Sequence, residues 1–273
     1  MSEADAIDRS PEPVTQAMIA RSLQTLGLKP GAVVLVHSSL SALGWVCGGA
    51  QAVTQALMAV LGPEGTLVMP THSGDWSDPS LWEHPPVPQG WWDTIRDTMP
   101  AFDPDLTPAR GMGVIPETFR KHPNAVRSRH PTLSFAALGP RAAEITAEQA
   151  LEDGLGERSP LGKLYDLDGV VLLLGVGYGN NTTLHLAERR ALGAGQLRTQ
   201  TGSPLLVSGV RRWVTFWQPV SDSDDFEQVG AAFECQDGSV RRGQVGRAEV
   251  RLMKVRSLVD FAVPWFEQHR SIS

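Results

Sequence analysis

At 273 residues with 41% hydrophobic residues the chain can bury a sizeable core, and its formal net charge of −6 excludes a generic nucleic-acid binder while leaving room for a cationic partner. No apolar run approaches the length needed to span a bilayer, and the polar start Met1-Ser2-Glu3-Ala4-Asp5 lacks the basic and apolar regions of a signal peptide, so the cytoplasm is the expected compartment. Cys47 and Cys235 form no CxxC pair, which argues against both a disulfide framework and a cysteine zinc site.

Residues 1–12 read as a flexible tail and residues 13–273 as one domain without repeat or linker. Pro13 opens a helical pattern with Ile19, Leu23 and Leu26 at i, i+4 and i+7, closed by Gly27. Ala32–Val36 is a buried-type strand. A polar, glycine-rich loop containing Ser38, Ser39, Leu40, Ser41 and Gly44–Gly49 leads from it into a helix over Ala50–Leu61, stopped by Gly62-Pro63. Thr66–Met69 reads as the next strand, so the segment is a βαβ unit, which implies parallel pairing. Further strands are expected at Leu133–Leu138, Val170–Leu174, Trp213–Trp217 and Arg247–Met253, and a last helix over Ser257–His269, bent at Pro264.

The stretch from Thr71 to Pro108 has little periodicity, many prolines and four tryptophans, Trp76, Trp82, Trp91 and Trp92. A connection this long in a compact domain is usually functional or disordered, and the tryptophans argue for order. It carries Asp75, Asp78, Glu83, Asp93, Asp97, Asp103 and Asp105 against the single base Arg96. Carboxylates attract ammonium groups, and flat aromatic faces pack on sugar rings or bind cations. The alternative is a solvated acidic loop pinned by core tryptophans. Downstream the sign reverses at Arg110, Arg120, Lys121, Arg127 and Arg129; arginines beside the hydroxyls of Ser128 and Ser134 suit phosphate groups.

After the apolar run Val170–Leu174 and the glycines Gly175 and Gly177, the residues Asn180-Asn181-Thr182-Thr183 predict a side-chain-capped helix with His185 in its first turn. Glu188 follows at i+3 on the same face. An imidazole with a carboxylate to orient it and to stabilise the imidazolium is a candidate general base; a capped helix with a core-facing histidine is the competing reading. Gly175–Gly179 is a poor dinucleotide fingerprint, because Asn180 stands at the third glycine, and Gly156–Lys163 has the wrong spacing for a P-loop. No GxSxG elbow occurs, and His37, His72, His84, His122, His130 and His185 show no HxH or HExxH spacing, so no metal is expected.

Four ordered segments resemble the aminoglycoside N(3)-acetyltransferase family, the antibiotic acetyltransferases outside the GNAT superfamily. They are Leu35–Ser41 with Gly48-Gly49-Ala50, Gly65–Thr71, Arg127–Pro131, and Leu172–Gly177 leading to Asn181–Glu188, within roughly residues 15–265. The resemblance implies a single acetyltransferase domain that moves the acetyl group of acetyl-CoA, without a metal, to the 3-amino group of a 2-deoxystreptamine aminoglycoside. It implies His185 and Glu188 as catalytic residues and Asp222 in Ser221–Phe226 as a contact of the substrate amine; Asp224 beside it, and Asp75 and Trp76 of the acidic, tryptophan-rich stretch, are also expected on the substrate side. His37, Ser38, Ser39, Leu40, Ser41, Thr71, Arg127, Ser128 and Ser134 are expected on the coenzyme side. Backbone amides of the Ser38–Ser41 loop or the Thr71 hydroxyl are the expected oxyanion donors. The expected fold is α/β, a layered α/β/α arrangement around a central mixed, largely parallel sheet with the acidic, tryptophan-rich loop inserted. Tyr178 departs from a histidine found in some members. A homodimer, an acyltransferase acting on a different amine, a metal-dependent hydrolase and a non-catalytic binding module all stay open.

Overall fold

The computed structural model describes residues 3–8, 10–236, 238 and 240–270. In chain order the elements are α1 (Glu3–Asp8), α2 (Gln16–Leu26), β1 (Val33–Ser38), α3 (Gly49–Leu61), β2 (Thr66–Pro70), α4 (Trp92–Thr98), α5 (Val114–Phe119), β3 (Val126–Arg127), β4 (Phe135–Leu138), α6 (Ala142–Thr146), α7 (Pro160–Asp166), β5 (Val170–Leu174), α8 (Thr183–Leu192), β6 (Arg198–Val207), β7 (Val210–Pro219), α9 (Phe226–Glu234), β8 (Val240–Val245), β9 (Ala248–Lys254) and α10 (Val255–His269). Where a tail is expected, α1 is tied to the body: Ser10 Oγ donates to the Ala6 carbonyl at 2.8 Å and accepts from the Trp45 amide at 2.7 Å.

Seven strands form one mixed sheet in the order β3-β4-β2-β1-β5-β9-β8. The centre, β2-β1-β5, is parallel, as the βαβ reading requires, and the flanking pairs are antiparallel. The central strands are apolar throughout because both faces are covered, and the strand period of two sorts their side chains. Val34, Val36, Leu67, Met69, Leu172 and Leu174 enter one core with α2, α3 and α5. Leu35, Val68, Val171 and Leu173 enter the other with α6 to α10. Three layers result.

The predicted strand at Trp213–Trp217 lies inside β7, but β7 pairs only with β6, in a two-stranded ribbon apart from the main sheet. The ribbon braces the tryptophan-rich insertion: Ser203 Oγ donates to the Trp76 carbonyl at 2.6 Å, the Phe102 amide donates to the Pro204 carbonyl at 2.8 Å, and Arg211 Nε donates to the Met99 carbonyl at 3.0 Å. Within the insertion, Arg96 forks onto Asp78 at 2.8 and 3.0 Å.

The connection from β1 leads to α3 on one face of the sheet, whereas β5, its parallel neighbour, leads to α8 on the opposite face. Adjacent parallel strands whose following helices diverge leave a crevice beyond their carboxyl ends. His37 and Ser38 end β1 beside Leu173 and Leu174 of β5, so the crevice opens where the sequence concentrates its polar residues.

Candidate active site

Gly175 lets the two crevice loops meet. Its backbone has φ of +73°, and a Cβ there would lie 2.6 Å from the Ala42 side chain and 3.1 Å from that of Ala248, so only glycine fits the turn out of β5. The chain then enters α8 with a side-chain cap supplied from within the predicted polar run Asn180–Thr183. Asn181 Oδ1 accepts from the Thr183 amide at 3.2 Å, while the Thr182 hydroxyl lies 3.3 Å from His37 Nε2. One side of the crevice is thereby linked to the other.

His185 stands in the first turn of α8, its side chain 13% exposed, and its Nδ1 lies 2.8 Å from Glu188 Oε2. With Nδ1 donating to a carboxylate, Nε2 is the basic nitrogen of the neutral ring. Phe226 packs on the imidazole at 4.8 Å between centroids. Glu188 is fully buried, and its oxygens also accept from Arg189 Nη1 at 3.0 Å, Arg270 Nη1 at 2.6 Å and the Asp222 amide at 3.1 Å. Burial pushes this carboxyl up, but the hydrogen bonds and charges of His185 and Arg189 and the Asp222 amide outweigh it, and the net position is below the ordinary carboxylate range. Glu188 is held ionised beside the imidazole.

Three further histidines lie nearby: His37 and His130 are buried, and His72 is half-buried, its ring packed edge-on against Phe135 and its Nε2 shielded from solvent without a hydrogen-bond partner. Burial lowers the imidazoles of His37 and His72 to about 3, with the neighbouring charge of His185 adding to the effect on both, and burial lowers His130 to about 4. His130 Nδ1 accepts from the Leu133 amide at 3.1 Å, which leaves Nε2 to donate to the Leu151 carbonyl at 3.3 Å. Among the described residues no group of three or more His, Cys, Asp or Glu side chains could hold a metal ion.

The predicted coenzyme-side residues separate into two places. Ser38, Ser39, Leu40 and Ser41 line a cavity of about 640 Å³ with Gly111–Val114, Val176 and Asn180. The Ser38 hydroxyl is buried without a hydrogen-bond partner, and Ser39 Oγ lies 3.2 Å from Ser41 Oγ. Thr71, Arg127, Ser128 and Ser134 are instead knit together at the ends of β2, β3 and β4. Arg127 Nε donates to Ser134 Oγ at 3.0 Å and Thr71 Oγ1 at 3.2 Å, Nη1 to the carbonyls of Thr107 and Pro104, and Nη2 to the Thr71 carbonyl and Ser73 Oγ. Its guanidinium also lies over Phe102. Ser128 Oγ donates to Gln149 Oε1 at 2.6 Å.

The predicted substrate-side residues also divide. Asp222 lies against the His185–Glu188 pair through its amide, and its Oδ1 accepts from the Asp224 amide at 2.9 Å. Asp75 and Trp76 line a second cavity of about 520 Å³ with Trp82, Glu83, Met99 and Arg110. There Asp75 Oδ2 pairs with Arg110 at 3.2 Å while Oδ1 is buried without a partner.

A family model described as aminoglycoside 3-N-acetyltransferase matches residues 35–267. The chain belongs to the aminoglycoside 3-N-acetyltransferase family. It is 48% identical to the SPbeta prophage-derived aminoglycoside N(3')-acetyltransferase-like protein YokD of Bacillus subtilis, covering 93% of each chain, and 39% identical to aminoglycoside N(3)-acetyltransferase VII of Streptomyces paromomycinus, covering 98% of this chain and 96% of the relative. Superposition on the crystal structure of Bacillus subtilis YokD gives a TM-score of 0.94 at 45% identity, covering 97% of this chain and 98% of the other. The fold is shared with AAC-VIa bound to sisomicin, with a TM-score of 0.85, 32% identity and coverage of 95% and 100%. It is also shared with AAC-IIIb as a binary complex with CoASH, with a TM-score of 0.83, 30% identity and coverage of 94% and 97%. The family, the α/β fold class and the acetyltransferase assignment expected from the sequence are borne out.

Within this acetyltransferase scaffold, sequence reasoning missed Arg270, Arg189 and the segment Gly111–Val114, and it read Thr182 only as part of a helix cap, without its link to His37. The closely spaced Gly111 and Gly113 were a usable loop signal. Nothing near Arg270 in the sequence points to residue 188.

Proposed function

We propose that this protein transfers the acetyl group of acetyl-CoA to the 3-amino group of a 2-deoxystreptamine aminoglycoside, with His185 as general base. An ammonium has no lone pair with which to attack a thioester, so the amine must first lose a proton. His185 Nε2 accepts it while Glu188, at Nδ1, stabilises the imidazolium. The amine nitrogen then bonds to the thioester carbonyl carbon, the C–S bond breaks as the tetrahedral adduct collapses, the leaving thiolate recovers a proton from the imidazolium, and the new amide nitrogen releases its second proton to solvent. The observation that carries this reading is the 2.8 Å contact between His185 Nδ1 and an ionised, buried Glu188, at the crevice whose other wall is the Ser38–Ser41 loop. The unpartnered Ser38 hydroxyl and the amides of that loop are suited to a coenzyme A chain or to the developing oxyanion. On the substrate side, carboxylates at Asp222, Asp224 and Asp75 suit a polycation, and the Trp76 ring suits a sugar face. The exposed thiols of Cys47 and Cys235 accord with a reducing, cytoplasmic compartment.

Incubation with acetyl-CoA and kanamycin or gentamicin should add the mass of one acetyl group to the drug and release one equivalent of free thiol, with the new amide at the 3-position. Acetylation at another amine, or thiol release without a modified drug, would overturn the assignment.

Thr71, Arg127, Ser128 and Ser134 we assign to architecture, because every Arg127 nitrogen is already engaged with protein acceptors. Arg127→Met strands several buried carbonyls and should cost about 2–3 kcal/mol in denaturant unfolding, with the acetyl-CoA KM little changed. A raised coenzyme KM in a fully stable variant would return Arg127 to the coenzyme side.

A further inference from the structure

Arg270 follows the last turn of α10, 82 residues beyond Glu188, and its side chain is 13% exposed. Its amide donates to the Phe266 carbonyl at 2.9 Å, and its guanidinium lies 4.3 Å over the Phe266 ring, which fixes the plane of the group. From that plane it spends donors in two directions. Nη1 reaches Glu188 Oε1 at 2.6 Å. Nε and Nη2 fork onto Asp225 at 2.8 and 2.5 Å, and Nη2 also reaches the Asp222 carbonyl at 2.9 Å. Phe226, next to Asp225, packs on both the His185 ring and Phe266.

We propose that Arg270 is a positioning residue for acetyl transfer: one guanidinium registers the acidic loop Asp222–Asp225 against Glu188, so that the base and the carboxylates that receive the cationic acceptor are set by a single rigid group. This rests on the acetyl-transfer reading of the same site. Arg189 is the obvious competitor, since it also bonds Glu188 at 3.0 Å. Its remaining donors go to Asp153 Oδ1 and Ser221 Oγ, so it touches the start of the loop but neither Asp222 nor Asp225. Arg270 alone of the two joins the Glu188 carboxylate to both ends of the Asp222–Asp225 turn. The geometry demands arginine: a planar fork can serve two carboxylates and a carbonyl at once, whereas a lysine ammonium is a compact point charge on a flexible stem.

The consequence is a selective kinetic signature. Arg270 has no contact with the Ser38–Ser41 loop or with the cavity that loop lines, so its loss should act on the acceptor side and on the base but not on the coenzyme side.

The test is steady-state kinetics of full-length Arg270→Gln, Arg270→Lys and Asp225→Asn with acetyl-CoA and an aminoglycoside that the unaltered protein acetylates, with thermal unfolding followed on the same samples. For Arg270→Gln the expected result is a fall in kcat of about tenfold or more and a similar rise in the aminoglycoside KM, with the acetyl-CoA KM within about twofold. Arg270→Lys should recover kcat in part by keeping a charge near Glu188, but not the acceptor KM, because the fork on Asp225 is lost. Asp225→Asn leaves the Glu188 contact in place and should move the acceptor KM more than kcat. Unchanged constants in folded Arg270→Gln would overturn the proposal. So would losses in all constants that merely track the folded fraction, or full recovery of both constants with lysine. Should the unaltered protein acetylate no aminoglycoside, it is the underlying acetyl-transfer reading that fails, and that outcome is read before any variant is measured.

Discussion

His185→Ala is expected to lower kcat by about two to four orders of magnitude, the usual contribution of a positioned general base, while the protein stays folded. The fold should tolerate the change because Glu188 keeps three other partners, Arg189, Arg270 and the Asp222 amide, so the truncation strands no buried charge. The acetyl-CoA KM should move little, since His185 is not among the residues lining the Ser38–Ser41 cavity. A pH series separates a base from a merely well-placed ring. As pH rises, more of the acceptor amine is free without help, so the deficit of His185→Ala relative to the unaltered protein should shrink toward alkaline pH. A deficit that holds constant across pH 6–9, or turnover within a few-fold of normal, would remove His185 from the proton-transfer role. Glu188→Gln gives the companion result. It keeps the contact to Nδ1 but loses the charge that stabilises the imidazolium, and it leaves Arg189 and Arg270 facing a neutral amide, so it should lose activity and stability together.

What the sequence disclosed follows a physical pattern. β1, β2 and β5 were legible because both faces of each strand are buried, which writes them as continuous apolar runs. The β1-α3-β2 connection followed from the glycine stops. The β6-β7 ribbon was half seen. Its turn at Ser208-Gly209 has φ of +51° and +76°, a hairpin geometry for which a Ser-Gly pair is a fair signal, yet β6 carries Pro204 and a polar first half that hide its period. β8 is an edge strand with Arg241, Arg242 and Gln244, and its charges mask it in the same way. In the site, the His185–Glu188 pair lies within one helical turn, so spacing alone brought the two side chains together. Thr71, Arg127 and Ser134 were read as part of the coenzyme side, because whether a cluster of donors faces a ligand or the protein's own carbonyls is decided by burial, which spacing does not encode. Arg270 marks the limit: its partnership with Glu188 exists only once α10 has packed against α8.

His37, His72 and His130 carry the second large effect, an acid sensitivity that begins well above the carboxylate range. His37 and His72 titrate at about 3 in the folded protein and His130 at about 4, each below the ordinary value of 6.5, because burial disfavours the cation. Above pH 6.5 the folded and unfolded chains bind the same number of protons at these sites, and the histidines leave stability independent of pH. Below it the unfolded chain takes up protons that the folded one refuses, so stability falls with pH until the folded values are reached. Each site then contributes a slope of up to about 1.4 kcal/mol per pH unit, and the three together remove up to about 6 kcal/mol between pH 7 and pH 5. That is comparable with the whole stability of an ordinary domain. The buried Glu188, and Glu117, which is held at about 2 by hydrogen bonds from Arg120 and Lys121 against the upward push of burial, add their loss only at lower pH. Urea unfolding at pH 7 and pH 5 should therefore show a markedly lower midpoint at pH 5 with an unchanged m-value. His130→Gln, whose side-chain oxygen can still accept from the Leu133 amide, should reduce the pH dependence by about one proton's worth. Equal midpoints at the two pH values would mean that these rings accept protons where they sit, and that the crevice behind His185 is wet.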